Sequence, residues 1–130
     1  MLEATNITHA YTPEAPVLRG ISFALERGTV LYLLGRNGCG KTTLMHALSG
    51  TLAPDGGRMT LDGRELRDYT AQERAQHIGL IPQLHTPAFA YTVRDMVLMG
   101  RAPHLGMFGA PGREDHAIAD EALASVGLTH

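Results

Sequence analysis

The segment Gly35-Arg36-Asn37-Gly38-Cys39-Gly40-Lys41-Thr42 holds the only lysine of the chain, whose other ten basic residues are all arginine. Glycines here admit φ > 0 and let the main chain approach a ligand with no Cβ in between. The amides of residues 38–43 can then converge on an anion at a helix N-terminus, where orphan N–H groups and the macrodipole favour negative charge. A slim ammonium enters such a cradle as a point charge, whereas arginine's planar fork would crowd it. The spacing is G-x-x-x-x-G-K-[ST], the phosphate-binding loop. Gly35, Asn37, Gly38, Cys39 and Gly40 form the loop, and Lys41 is expected on the β- and γ-phosphates. The Thr42 hydroxyl takes a Mg²⁺ position, and Thr43 adds an amide. These residues imply a site for a nucleoside triphosphate. Cys39 reads as a small filler, because amides do the cradling.

Two elements must hold that loop. Residues 30–34 are apolar at consecutive positions, which predicts a central strand buried on both faces with a parallel neighbour on each side. Residues 42–48 read as a helix ending near Ser49-Gly50, with glycine on the C-cap side. Upstream, residues 2–10 predict an edge-type strand and residues 17–25 a second strand. Residues 11–16 read as a loop, since Pro13 and Pro16 interrupt a ladder.

Downstream, Pro54-Asp55-Gly56-Gly57 is a turn, residues 59–61 a short strand, and Asp62-Gly63 a second turn. Thr70 and Glu73 have capping-box spacing for a short helix through His77. Residues 78–81 predict the next strand, stopped at Pro82. A helix starts at Thr92, with Val93, Met96, Val97 and Gly100 on one face, and residues 103–112 read as a loop. The last helix spans residues 114–126, with Ile118, Ala122 and Val126 on one stripe and Gly127 after its end.

At 130 residues the length prior is one domain, and 44% apolar with 18% charged residues is ordinary for a globular chain. A formal net charge of −2 gives no general attraction to nucleic acid or anionic membrane. The single cysteine excludes an intrachain disulfide and fits a reducing compartment. The apolar runs fall short of a bilayer span and the N-terminus has no signal-peptide pattern, so a cytoplasmic location is expected.

Together these features resemble the ATP-binding subunit of ABC transporters, which implies an α/β fold. That fold has a P-loop core with a mainly parallel sheet, a small antiparallel β-subdomain and a helical subdomain. Tyr11 matches the family's aromatic that stacks on adenine. Pro54, Gly57, Asp62 and Gly63 match the structural hallmark of its β-rich subdomain. Gln83, just after residues 81–82, matches the glutamine that reaches Mg²⁺ and the attacking water. Residues 91–104 resemble one importer group, which takes up iron siderophores, haem, corrinoids and, in some members, oxyanions such as molybdate. The resemblance implies ATP and Mg²⁺ as ligands. Its implied partners are a membrane permease, a second ATP-binding subunit and, indirectly, a periplasmic or surface substrate-binding protein. It implies no nucleic-acid partner, and a place at the inner face of the cell membrane.

The resemblance corresponds to roughly the first half of such a subunit: core and β-subdomain to about residue 83, start of the helical subdomain from about 84. The family's LSGGQ-type signature, its strand ending in Asp-Glu and its switch histidine have no match in these 130 residues. Leu48-Ser49-Gly50 is a decoy, because Thr51 follows. Phosphoryl transfer to water needs the nucleotide held and a water positioned, so negligible ATPase activity is expected from this polypeptide alone. The rival readings are a non-transport ABC-type ATPase acting in translation or DNA repair, and a nucleotide-binding module without catalysis. A P-loop small-molecule kinase conflicts with residues 54–63 and Gln83 together.

The seven histidines, His9, His46, His77, His85, His104, His116 and His130, show no i, i+4 ligand pair and read as scattered surface residues. Met96, Met99 and Met107 with Phe89, Tyr91 and Phe108 give the later part a soft apolar character. Met96 is expected inward, with Phe89 and Tyr91 toward a partner groove.

Overall fold

The computed structural model describes residues 1–83, 90–106 and 109–128. They form two compact units, Met1–Leu80 and Ile81–His130.

The first unit is built on strands β1 (Leu2–Thr12), β2 (Ala15–Leu25), β3 (Gly56–Leu61) and β4 (Arg64–Glu65). They pair in the order β2-β1-β3-β4, and every pairing is antiparallel. The expected loop over residues 11–16 is instead a tight hairpin, with Thr12 opposite Ala15 and Ala10 opposite Pro16. Proline is tolerated there because β2 is an edge strand, whose outer side needs no ladder donor.

Ala4 and Ile7 are both buried although they stand three positions apart, an odd spacing that regular alternation would put on opposite faces. Asn6, at φ 52°, is the extra residue of a bulge where the β1–β2 register shifts, and its amide donates to Ser22 Oγ at 2.8 Å. Beyond the bulge, alternation returns Ile7, His9 and Tyr11 to one face. Leu44 of α1 (Lys41–Ser49) joins Ala4, Ile7 and Leu18 in the core, with Ile21, Phe23, Leu48 and Met59 packed around them. Fully burying a Leu, Ile, Phe or Met side chain contributes about 1.5–3 kcal/mol. That burial seats α1 on the sheet.

Asp62 (φ 48°) and Gly63 (φ 83°) make the β3–β4 turn with both residues left-handed, the geometry of a two-residue type I′ hairpin. Asp62 accepts from the N-terminal ammonium and from Arg27 at 2.8 Å, which together hold its carboxyl below the usual range. Helix α2 (Ala71–His77) opens on the expected capping box: Glu73 N donates to Thr70 Oγ1 at 3.1 Å, and Thr70 N to Glu73 Oε2 at 2.7 Å.

The parallel sheet is absent among the described residues. Residues 30–34 have no regular secondary structure and belong to no ladder, and Val30, Tyr32 and Leu34 are 76, 79 and 87% exposed. Their alternates Leu31 and Leu33 line an apolar cavity of about 270 Å³ with Phe23, Leu44, Leu48 and Leu80. Residues 78–81 likewise form no strand. A parallel ladder needs a partner brought back by a crossover, and no described segment supplies one.

In the second unit, α3 (Val93–Met99) packs against α4 (Arg113–Ser125). Arg94 grips Asp120 bidentately, Nε to Oδ1 at 2.6 Å and NH2 to Oδ2 at 2.9 Å. Arg101 Nε donates to Asp115 Oδ1 at 2.9 Å. The buried residues of α4 are Ala119 and Leu123. The expected stripe of Ile118, Ala122 and Val126 is exposed instead. Residues 103–112 are also not all loop, because Ala102–His104 form a 3-10 turn. Met96 is half-buried and Tyr91 exposed, while Phe89 and the other expectations at residues 84–89 and 107–108 lie outside the described residues.

Candidate functional site

The phosphate-type loop runs from Gly35 into α1. The first helical hydrogen bond is Leu44 N to Gly40 O at 2.9 Å, and no side chain caps the helix. The amides of Lys41, Thr42 and Thr43 therefore precede the ladder as orphan donors at the positive end of the helix dipole. The Cys39 amide differs from its sequence expectation, since it donates to Arg36 O at 3.3 Å within the loop's own turn.

Gly40 (φ 98°) is required twice over: any Cβ there would be strained, and would stand 2.9 Å from Val17 Cγ1. The same close approach sets the loop against β2. Gly38 is also left-handed (φ 79°), and a Cβ on Gly35 would stand 2.6 Å from Cys39 Sγ. Asn37 and Thr42 are exposed, whereas Thr43 is buried.

The Lys41 ammonium donates to Gly35 O at 2.6 Å and Arg36 O at 2.8 Å, with Cys39 Sγ at 3.8 Å. Its charge is held over the loop by neutral main-chain oxygens. No carboxylate among the described residues pairs with it. An unpaired ammonium beside three orphan amides fits a polyanionic chain of phosphates.

Tyr11 joins this site from β1. Its phenol oxygen is 3.2 Å from Thr43 Oγ1, and its side is 63% exposed. The ring meets the His9 ring edge to face, centroids 4.9 Å apart at 85°. Gln83 is exposed and belongs to the second unit.

Two neighbours were not legible as site residues. His9 is not a surface histidine: its side chain is 10% exposed, and neither ring nitrogen makes a hydrogen bond among the described residues. His46, His77 and His104 are exposed, His116 is half-buried, and His85 and His130 lie outside the described residues. Asp55 read only as a turn residue, yet its Oδ2 accepts from Ala10 N at 2.7 Å and its Oδ1 lies 3.4 Å from His9 Nδ1. The available signal was the i, i+2 series Ile7, His9, Tyr11, which places His9 on the face of a core residue.

This glycine-rich loop opening into α1 at Lys41 is of the P-loop type. The sequence profile of the ABC transporter family matches residues 18–130, and the chain belongs to that family. It is 43% identical over 138 residues to the hemin import ATP-binding protein HmuV of Burkholderia thailandensis, covering 99% of this chain and 50% of that protein. The molybdate import ATP-binding protein MolC of Haemophilus influenzae is 36% identical over 129 residues, covering 99% and 46%. Among solved structures, an ABC transporter described as metal-chelate type, in an inward-facing conformation, aligns with a TM-score of 0.79. It shares 36% identity over 99% of this chain and 46% of its own. The chain spans about half the length of the curated relatives it matches.

Proposed function

We propose that residues 35–43 hold ATP, with Tyr11 stacked on the adenine and Lys41 on the β- and γ-phosphates. The backbone of Gly35, Asn37, Gly38, Cys39, Gly40 and Thr43 surrounds the phosphates. The Thr42 hydroxyl faces Mg²⁺, which when bound neutralises phosphate charge. Gln83 approaches the metal and the attacking water in the working protein. The observation that carries this reading is the pairing of orphan α1 amides with an ammonium that has no carboxylate partner among the described residues.

In the full-length protein, ATP hydrolysis at this site powers import of a hemin, metal-chelate or corrinoid substrate, with a molybdate-type oxyanion as the variant. The support is the import function that the names of HmuV and MolC carry, and the metal-chelate type of the structural neighbour. Its partners are a membrane permease, a second ATP-binding subunit and, indirectly, a substrate-binding protein. It works at the cytoplasmic face of the membrane. No helix among the described residues is long and apolar enough to cross a bilayer. Residues 1–83 supply the nucleotide-binding core and β-subdomain, and residues from about 84 begin a helical subdomain. The 130-residue polypeptide by itself hydrolyses negligible ATP, because no acidic pair follows its apolar runs to position water.

A melting series tests the binding. Mg-ATP at a hundredfold over Kd adds about 2.7 kcal/mol to a chain that binds it only when folded. The full shift is expected in the wild type, and only about 0.4–1.4 kcal/mol in Lys41→Ala at the same nucleotide concentration. An unmoved wild type contradicts the reading.

A further inference from the structure

We propose that His9 and Asp55 are positioning residues that set the Tyr11 ring, and so contribute to the base-dependent part of nucleotide affinity. The inference rests on Tyr11 being the base-stacking residue proposed above, and names what orients it. The ring is held at its far end by the Tyr11–Thr43 hydroxyl contact of 3.2 Å, which fixes one point but leaves its plane free to turn. The plane is fixed by His9, whose imidazole stands at 85° to it with centroids 4.9 Å apart.

His9 can do this because it is itself held. Its side chain is nine-tenths buried, two residues along the same strand face from Tyr11, and its ring nitrogens bond nothing among the described residues. A polar ring buried without hydrogen bonds costs stability. Its shape and edge are thus what the packing uses. Asp55 reaches over from the turn before β3. Oδ2 takes the amide of Ala10, the residue between the two rings, while Oδ1 faces His9 Nδ1 at 3.4 Å. The Asp55 amide donates in turn to Thr8 O at 2.9 Å, so residues 8–10 are tied on both sides. One carboxylate therefore fixes the backbone that carries both rings.

The test separates base from phosphate recognition. Mg-ATP and Mg-tripolyphosphate are titrated by calorimetry into the wild-type chain, His9→Ala, His9→Phe and Asp55→Ala. Wild type binds ATP more tightly than tripolyphosphate. His9→Ala and Asp55→Ala narrow that preference about two- to tenfold, the range of one edge-to-face pair, with tripolyphosphate affinity unchanged. His9→Phe, which keeps an aromatic edge, keeps the preference. An undiminished preference in His9→Ala overturns the inference, as does a parallel loss of both ligands, which is the mark of a folding role alone. A wild type that binds both ligands equally overturns instead the stacking role of Tyr11 on which the inference stands.

Discussion

The Tyr11 hydroxyl lies 3.2 Å from the Thr43 hydroxyl, joining the end of the first hairpin strand to the helix that opens at Lys41. The two stand thirty-two positions apart in sequence, and β1 and α1, which carry them, share one core through Ile7 and Leu44. An aromatic ring and a phosphate-type cradle thus lie at the two ends of one short span. Base–aromatic stacking is worth about 1–3 kcal/mol. Tyr11→Ala is expected to weaken ATP binding by at least about fivefold on that scale, whereas Tyr11→Phe keeps most of it. Fluorescence titration with a labelled ATP analogue checks both. Equal affinities of Tyr11→Ala and wild type would remove the ring from the site.

Lys41 gives a sharper case. A hydrogen bond to a charged group contributes about 1.5–3 kcal/mol, so Lys41→Ala is expected to cost about ten- to a hundredfold in ATP affinity. Lys41→Arg is expected to be no rescue, because its planar fork cannot occupy the space between Gly35 O and Arg36 O taken by a single ammonium nitrogen. Competition binding measures the three together, and near-wild-type affinity in Lys41→Arg would contradict the tight cradle.

Gly40 ties the loop to the sheet. Gly40→Ala forces a side chain into a left-handed conformation and against Val17 Cγ1 at 2.9 Å and Val17 O at 3.1 Å. A loss of about 1–3 kcal/mol in denaturant unfolding is expected. Gly63→Ala, in open space, carries only the dihedral strain and is expected to lose less. The reverse order would mean the loop does not press on β2.

The capping box of α2 sets a pH dependence. The Thr70 amide first, and the Arg64 guanidinium second, hold the Glu73 carboxyl down from 4.5 to about 2. The unfolded chain therefore takes up the proton more readily than the folded one. The stabilisation is full above pH 4.5 and is lost as pH falls toward about 2. In thermal melts, the gap between wild type and Glu73→Gln is expected to stay flat above pH 4.5 and close below it. A gap that persists in acid would contradict the assignment.

The exposed side of residues 30–34 predicts behaviour in solution. Val30, Tyr32 and Leu34 are exposed apolar residues on a segment whose backbone edge joins no ladder, together a template for association. Tyr32→Lys is expected to raise the monomer fraction in size-exclusion chromatography without altering the phosphate loop. An unchanged monomer fraction would show that the edge is not where copies meet.

Local spacing carried most of what the sequence revealed. The loop, the helix from Lys41 to its Gly50 cap, the Asp62-Gly63 turn and the Thr70–Glu73 box are all set within a few residues, and each is present. Two-sided burial of residues 30–34 depends on distant ladder partners, which a run of apolar residues presupposes but cannot supply. A count of histidines says nothing about burial, and the His9 side chain is nine-tenths buried because it lies two residues past Ile7 on one face of β1. On α4, apolar side chains suggested the stripe Ile118, Ala122 and Val126, but the face turned inward is that of Ala119 and Leu123, and the choice of face depends on the packing of α3, which lies elsewhere in the sequence.

The most direct measurement is an amide NMR titration of the ¹⁵N-labelled chain with Mg-ATP. Saturable shifts centred on the amides of Gly38, Gly40, Lys41, Thr42 and Thr43, needing about ten- to a hundredfold more nucleotide in Lys41→Ala, are the predicted result. Amides of these residues that stay unmoved at millimolar nucleotide, in a folded sample, would contradict it.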